Sequence, residues 1–226
     1  MATLISLCTT VRNRRSQFQA TFCDNLNALS ACQNVEWIIL DYGSSQNEFE
    51  LFRKAHPPTW VHWVRMEAAY WHTPRAKNAA VHASTGDVVM NFDVDQRLKN
   101  AIAAAQKAGD RTLVHNWSGV SRDGTCGRIA CSRRVFDRLG GYDEDFLPCG
   151  YDDLDLIARA AASGVKVAKI NCGPNAAIPN TTEEAISDCR VEGVTWKAME
   201  KANHVRSDWN IGMGILVANQ RRWSRS

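Results

Sequence analysis

The chain has 226 residues, of which 45% are hydrophobic and 23% charged, with a net charge of +3. Those proportions exclude a chain dominated by disorder, and the length suits one α/β domain with a substantial core. The charge is too mild and too dispersed for a nucleic-acid partner, which needs a concentrated basic patch.

Basic residues cluster only at Arg12, Arg14 and Arg15, and at Arg221, Arg222 and Arg225, where a solvated tail is the ordinary reading. No apolar run reaches the roughly 18–20 residues of a membrane span, so no transmembrane segment is expected. Leu4–Cys8 is too short for a secretory h-region. The eight cysteines contain no C-x-x-C pair. A reduced, cytoplasmic compartment is therefore expected, although an even count leaves disulfides open.

Leu4–Cys8 reads as a strand, and Ser16 as the cap of a helix with Phe18, Phe22, Leu26 and Leu29 on one face. Val35–Leu40 is a second strand, followed by the loop Asp41–Ser45 and a short helix over Asn47–Ala55 that Pro57 and Pro58 stop. Trp60–Val64 is a third strand. Thr73-Pro74 opens a helix running to about Ser84, with proline at the first helical position. Asp87–Phe92 is a fourth strand, Asn100–Lys107 an Ala-rich helix closed by Gly109, and Arg111–Asn116 and Arg128–Ser132 are further strands. Tyr151–Ser163 is helical, Val165–Ile170 extended, and Thr182–Lys201 a long helix. Strands alternating with helices imply a mainly parallel sheet. No linker divides the chain, so we expect one domain with two functional halves, 1–98 and 99–226, the second ending in a C-terminal lid or tail.

Asp93-Val94-Asp95 directly follows the fourth strand. In extended chain, i and i+2 point to one side, so two carboxylates would repel there unless a cation lies between them. Ligands of α/β sheets bind outside such strand ends, and hard oxygen ligands suit Mg²⁺ or Mn²⁺ together with substrate phosphates. A solvated acidic turn is the competing reading of this short motif taken alone. Arg75, early in the preceding helix, offers a planar fork for phosphate, or pairs with a surface acid. Asp41 is either a turn-forming residue or an acceptor for a ring N–H. Asp152, Asp153 and Asp155 open one helix, where the dipole favours acids, but with Asp143 and Glu144 nearby they exceed what capping needs. A base acting on an acceptor hydroxyl is the functional reading of that cluster.

The order of these features resembles the GT-A glycosyltransferases, especially family 2 and its relatives. The matching segments are Thr9-Thr10-Val11-Arg12-Asn13, Asp41-Tyr42-Gly43-Ser44, Arg75-Ala76-Lys77-Asn78, Gly86-Asp87, Asp93-Val94-Asp95, Gly140-Gly141-Tyr142-Asp143-Glu144, and Asp152-Asp153-Leu154-Asp155-Leu156 with Arg159. They span about residues 3–170. The resemblance implies a Rossmann-like nucleotide-diphospho-sugar transferase fold, with a mixed, mainly parallel sheet flanked by helices. It implies metal-dependent transfer of a sugar from a nucleotide-diphosphate donor, commonly a UDP-sugar, to the hydroxyl of a sugar or glycan acceptor, with inversion. Thr9, Val11, Arg12 and Asp41 would line the base pocket. Arg75 would contact the nucleotide or its diphosphate, Asp93 the ribose and Asp95 the metal. Asp153 would be the base and Asp152 an acceptor ligand.

One departure stands out. Many such enzymes place a third metal ligand, often histidine, after the acidic helix, and the first histidine there is His204, with Asn180 or water as substitutes. Trp117, with Trp71 and His72, offers aromatic surface for an acceptor sugar, or plain packing. Three rivals remain at this level: a retaining GT-A enzyme, a non-catalytic sugar-nucleotide-binding protein, and a nucleotidyltransferase. The last would open with a Gly-rich loop that Thr9–Asn13 lacks.

Overall fold

The computed structural model describes residues 2–45, 49–54, 58–121, 123–179, 181, 184, 186–189 and 193–221. Seven strands form one sheet: β1 (Ile5–Val11), β2 (Val35–Tyr42), β3 (Val61–Met66), β4 (Val88–Asn91), β5 (Thr112–Asn116), β6 (Ile129–Ser132) and β7 (Lys166–Ile170). Their order is β3-β2-β1-β4-β6-β5-β7. The first four run parallel, β6 is antiparallel to both β4 and β5, and β7 is parallel to β5. Every residue of β1 and β2 is buried, as expected for central parallel strands covered on both faces.

Alternate side chains feed two cores. Leu7, Trp37, Ile39 and Met90 pack on one face with Phe18 and Phe22 of α1 (Arg15–Ser30). Cys8, Ile38, Leu40 and Val89 pack on the other. They meet Ala76 and Ala80 of α3 (Thr73–His82), Val135 and Phe136 of α5 (Arg133–Leu139), and Leu156 of α6 (Asp152–Ala162). Two short helices, α2 (Glu50–Lys54) and α4 (Ala101–Ala105), lie between them in the chain, and α7 (Trp196–Gly212) follows β7.

Three local readings change. Ser16 lies inside α1 with its hydroxyl on Gln17, and the N-cap position falls to Arg14, whose side chain makes no capping bond. The short helix α5 escapes the sequence pattern. At seven residues it is too brief for a periodic signal, and its evidence is its ends: Ser132 accepts the Val135 N–H, and Gly140 closes it at φ 69°. Of the helix expected over Thr182–Lys201, residues 182, 183, 185 and 190–192 lie outside the described set; the described helix starts at Trp196, after Thr195 caps it and Gly193 turns the chain at φ 69°. Its buried face is largely polar (Met199, Asn203, Ser207, Asn210), so hydrophobic periodicity could not find it. Asn203 donates to the carbonyls of Leu147, Cys149 and Gly150, and Ser207 donates to Asp155. These bonds hold the loop that leads into α6. Residues 46–48, 55–57, 180 and 222–226 lie outside the described set, and with them Asn47, Ala55, Pro57, Asn180, Arg222 and Arg225.

Candidate active site

Because β1, β2 and β4 run parallel, Arg12, Asp41 and Asp93 emerge at one edge of the sheet. The antiparallel β6 starts there, which brings Gly127 beside Asn91 and Asp93: Asn91 donates to Gly127 O at 2.8 Å and to Asp93 Oδ1 at 3.0 Å. A methyl group on Gly127 would lie 2.8 Å from Asp93 Oδ2 and 3.0 Å from Asp153 Oδ2. A side chain at this position would push one of the two carboxylates aside.

Asp153 arrives on α6, whose N-terminus is set abruptly by Tyr151 at φ 66°. Lys77 of α3 sits under it, fully buried, donating at 2.7 Å to Asp152 and 2.6 Å to Asp153, with its ammonium 4.9 Å from the Tyr142 ring centroid. The two carboxylates raise the Lys77 pKa well above its ordinary value against the opposing cost of burial. Burial, together with Asp152 and Asp93, lifts Asp153 to about 7, although Lys77 pulls the other way. Lys77 engages Oδ1 of Asp153, while Oδ2 faces Gly127 and Asp93. Asp155 and Arg159 are structural. Arg159 bonds Asp155 and the carbonyls of Leu139 and Gly141.

Asp95 is buried, and its Oδ1 has no hydrogen-bond partner. Burial, then the charge of Asp93, pushes its pKa up to about 7. A lone buried carboxylate beside a second one is costly. A divalent cation would remove that cost, so the oxygen donors of Asp93 and Asp95 fit Mn²⁺ or Mg²⁺. Among the described residues no cluster of three or more His, Cys, Asp or Glu surrounds such an ion. Further ligands would come from water and substrate phosphates, as is usual for Mg²⁺. Gln96 buttresses the turn, donating to Asp93 Oδ2 and to Gly124 O. The strand-like segment after β7 crosses here, with Ile178 N–H on the Asp95 carbonyl.

His204, the sequence's candidate third ligand, goes elsewhere. It is half exposed, stacks on Tyr151 with centroids 4.2 Å apart and pairs with Asp208. Its place on an outward part of α7 follows from the helix phase, which turns Asn203 and Ser207 inward instead.

The residues expected around the base are largely committed to the protein itself. Thr9 Oγ1 donates to the Phe92 carbonyl and accepts from Trp37 Nε1, and Val11 is in the core. Arg12 donates to the carbonyls of Tyr42, Ala68 and Ala69. Asp41 accepts the Ser44 N–H and pairs with Arg65 at 2.7 Å. These four therefore fix the backbone at the ends of β1 and β2. Arg75 is exposed on α3, close enough to His72 and Tyr42 to influence their protonation. Trp117 stacks on His115 and donates to the Val120 carbonyl, and Trp71 donates to Thr73. The sequence reading passed over Lys77, Asn91, Gln96 and Gly127. Lys77 was visible between Arg75 and Asn78, but its burial was not.

Solved structures share this fold. A mannosyltransferase from Pyrobaculum calidifontis, in complex with GDP-Man and Mn²⁺, matches with a TM-score of 0.63 at 16% identity, covering 95% of this chain and 71% of that one. Glucosyl-3-phosphoglycerate synthase from Mycobacterium tuberculosis, in complex with Mn²⁺, UDP and phosphoglyceric acid, matches with a TM-score of 0.61 at 19% identity, covering 84% and 75%. The fold is GT-A. A family model described as the N-terminal domain of galactosyltransferase matches residues 116–184, which hold β6, α6 and β7 of this GT-A sheet. No curated protein matches the chain by sequence. Among the described residues, no helix is long and apolar enough to cross a membrane.

Proposed function

We propose that the chain is a metal-dependent glycosyltransferase that moves a sugar from a nucleotide-diphosphate donor, a UDP-sugar by preference, to an acceptor hydroxyl with inversion. The observation that carries this reading is the cleft at Gly127, where Asp93 and Asp153 approach from opposite elements, together with buried Asp95, whose Oδ1 has no hydrogen-bond partner. Asp93 and Asp95 would hold Mn²⁺ or Mg²⁺, which supplies charge neutralisation for the departing nucleoside diphosphate. Arg75, on the exposed side of α3, adds a cation for the same diphosphate. Residues 1–98 bind the nucleotide and 99–226 the acceptor.

Asp153 is the base. Its Oδ2 faces the cleft and receives the proton of the acceptor hydroxyl as that oxygen attacks the sugar's anomeric carbon. A pKa near 7 suits this role, because a substantial fraction of the group is ionised at neutral pH and that form is basic enough to take a proton. Lys77 positions Asp153 through Oδ1 and favours its ionised form. Asp152, held by the same ammonium, orients the acceptor, and Trp117 lies toward the acceptor side. Transfer with a panel of UDP- and GDP-sugars, with and without Mn²⁺, tests the reading. Donor binding without any turnover to water or acceptor would reduce the chain to a sugar-nucleotide-binding protein, and a product with retained anomeric configuration would remove Asp153 as base.

A further inference from the structure

Cys149 and Cys189 are 40 positions apart in sequence, yet their Sγ atoms lie 2.9 Å from each other in a small apolar cluster with Met199, Trp71, Ile186, Val194 and Trp196. Neither thiol takes part in the transfer chemistry. The surrounding backbone brings them together from both sides. On one side, the loop carrying Cys149 is tied by Asn203 to the carbonyls of Leu147, Cys149 and Gly150, and by the Thr73 N–H to Pro148 O. On the other, Cys189 closes a turn onto Ile186, and its neighbour Asp188 accepts the Trp71 N–H at 2.7 Å. The contact is thus imposed by two independently anchored segments.

We propose that Cys149 and Cys189 are a dithiol modification site that exchanges with small-molecule disulfides and closes into an intramolecular disulfide. Either sulfur can hold the hydrogen of this S–H···S contact; Cys189 lies on the Ile186–Cys189 turn, whose opening exposes it, and is the attacking sulfur in the proposed sequence. In the first step the Cys189 thiolate attacks one sulfur of a disulfide such as glutathione disulfide, forming a mixed disulfide and releasing one glutathione thiolate. In the second, Cys149 loses its proton to solvent and attacks the Cys189 sulfur, releasing the second glutathione. Two protein thiols are oxidised and one small disulfide is reduced to two thiols. Both cysteines are buried, so the first step proceeds through local opening of the Ile186–Cys189 turn. The bond would join the turn that faces Arg12 and Asn13 to the loop leading into α6, leaving Asp93, Asp95 and Asp153 untouched.

The test incubates the full chain, natively folded, with glutathione disulfide, blocks remaining thiols and maps peptides by mass spectrometry without reduction. A Cys23→Ser variant removes the exposed thiol. The expected result, in both proteins, is a peptide pair joined through Cys149 and Cys189, a chain lighter by two hydrogen masses, and reversal by dithiothreitol. Glutathione adducts without that link, links between other cysteines, or no reaction at either position would overturn it. Cys189→Ser gives a second reading: the link must vanish without a new one forming to Cys149.

Discussion

Replacing Asp95 by asparagine tests the electrostatic core of the site without any knowledge of the substrate. In the metal-free chain the Asp95 carboxyl is displaced from 3.8 to about 7. In an unfolded chain the same carboxyl ionises at its ordinary value. Between about pH 4 and pH 7 the folded state therefore holds a proton that the unfolded state has lost, and stability falls as pH rises through that window. A displacement of about 3 units corresponds to about 4 kcal/mol. Water entry and rearrangement of Gln96 and Asp93 relieve part of this, and we expect about 2 kcal/mol to persist in the measured protein. At this chain length that is about 4–8 °C in melting temperature. With a chelator present at pH 8, Asp95→Asn should melt higher than the wild type by that amount, and below about pH 4, where the carboxyl is protonated in both the folded and the unfolded chain, the two should coincide. Adding Mn²⁺ with UDP should reverse the order, because only the wild type retains both carboxylates. Differential scanning calorimetry at the two pH values, with and without metal, reads all of this. A variant less stable than wild type at pH 8 in chelator, or an unchanged pH slope, would refute the idea that Asp95 is a buried charge awaiting a cation.

Four further outcomes follow from the same geometry. Asp153→Asn should leave UDP affinity intact, measured by calorimetric titration, and lower transfer by about 10²–10⁴-fold; a rate near wild type removes the base assignment. Lys77→Ala strands Asp152 and Asp153 without their buried partner and should cost about 3–5 kcal/mol in denaturant unfolding, whereas an unchanged midpoint would mean the pair is dispensable. Gly127→Ala drives a methyl group between Asp93 and Asp153 and should lower turnover by about 10²-fold with the circular-dichroism spectrum preserved. Arg12→Ala loses three carbonyl contacts that join the end of β2 to residues 68–69. It should cost about 1.5–3 kcal/mol and weaken nucleotide binding through loop disorder, so an unchanged melting temperature would contradict its structural role.

The alternation of apolar runs with amphipathic ones was legible in the chain because central parallel strands are buried on both faces. Their side chains must be apolar whatever surrounds them, and β1, β2 and β4 declare themselves. Asp93 and Asp95 were legible because they sit where such a strand ends, and the acidic cluster at 152–155 because three carboxylates at one helix start exceed capping. The last helix was not legible, since its inward residues are asparagine and serine that bond to loops far away in sequence. Nor were the fates of individual polar side chains. Nothing local distinguishes Lys77, buried under two carboxylates, from exposed Arg75 two positions earlier; only the way α3 lies on β1 and β2, beside the start of α6, decides which cation enters. The same holds for Arg12, whose partners lie in loops brought to it by β2 and β3, and for His204, turned away by the phase of its helix. Residue types and order thus determined the fold and the kind of chemistry, because burial in a sheet is a demand on each strand separately. Which atoms meet in the cleft was decided by the tertiary structure, because hydrogen bonds and ion pairs between distant segments depend on how whole elements dock.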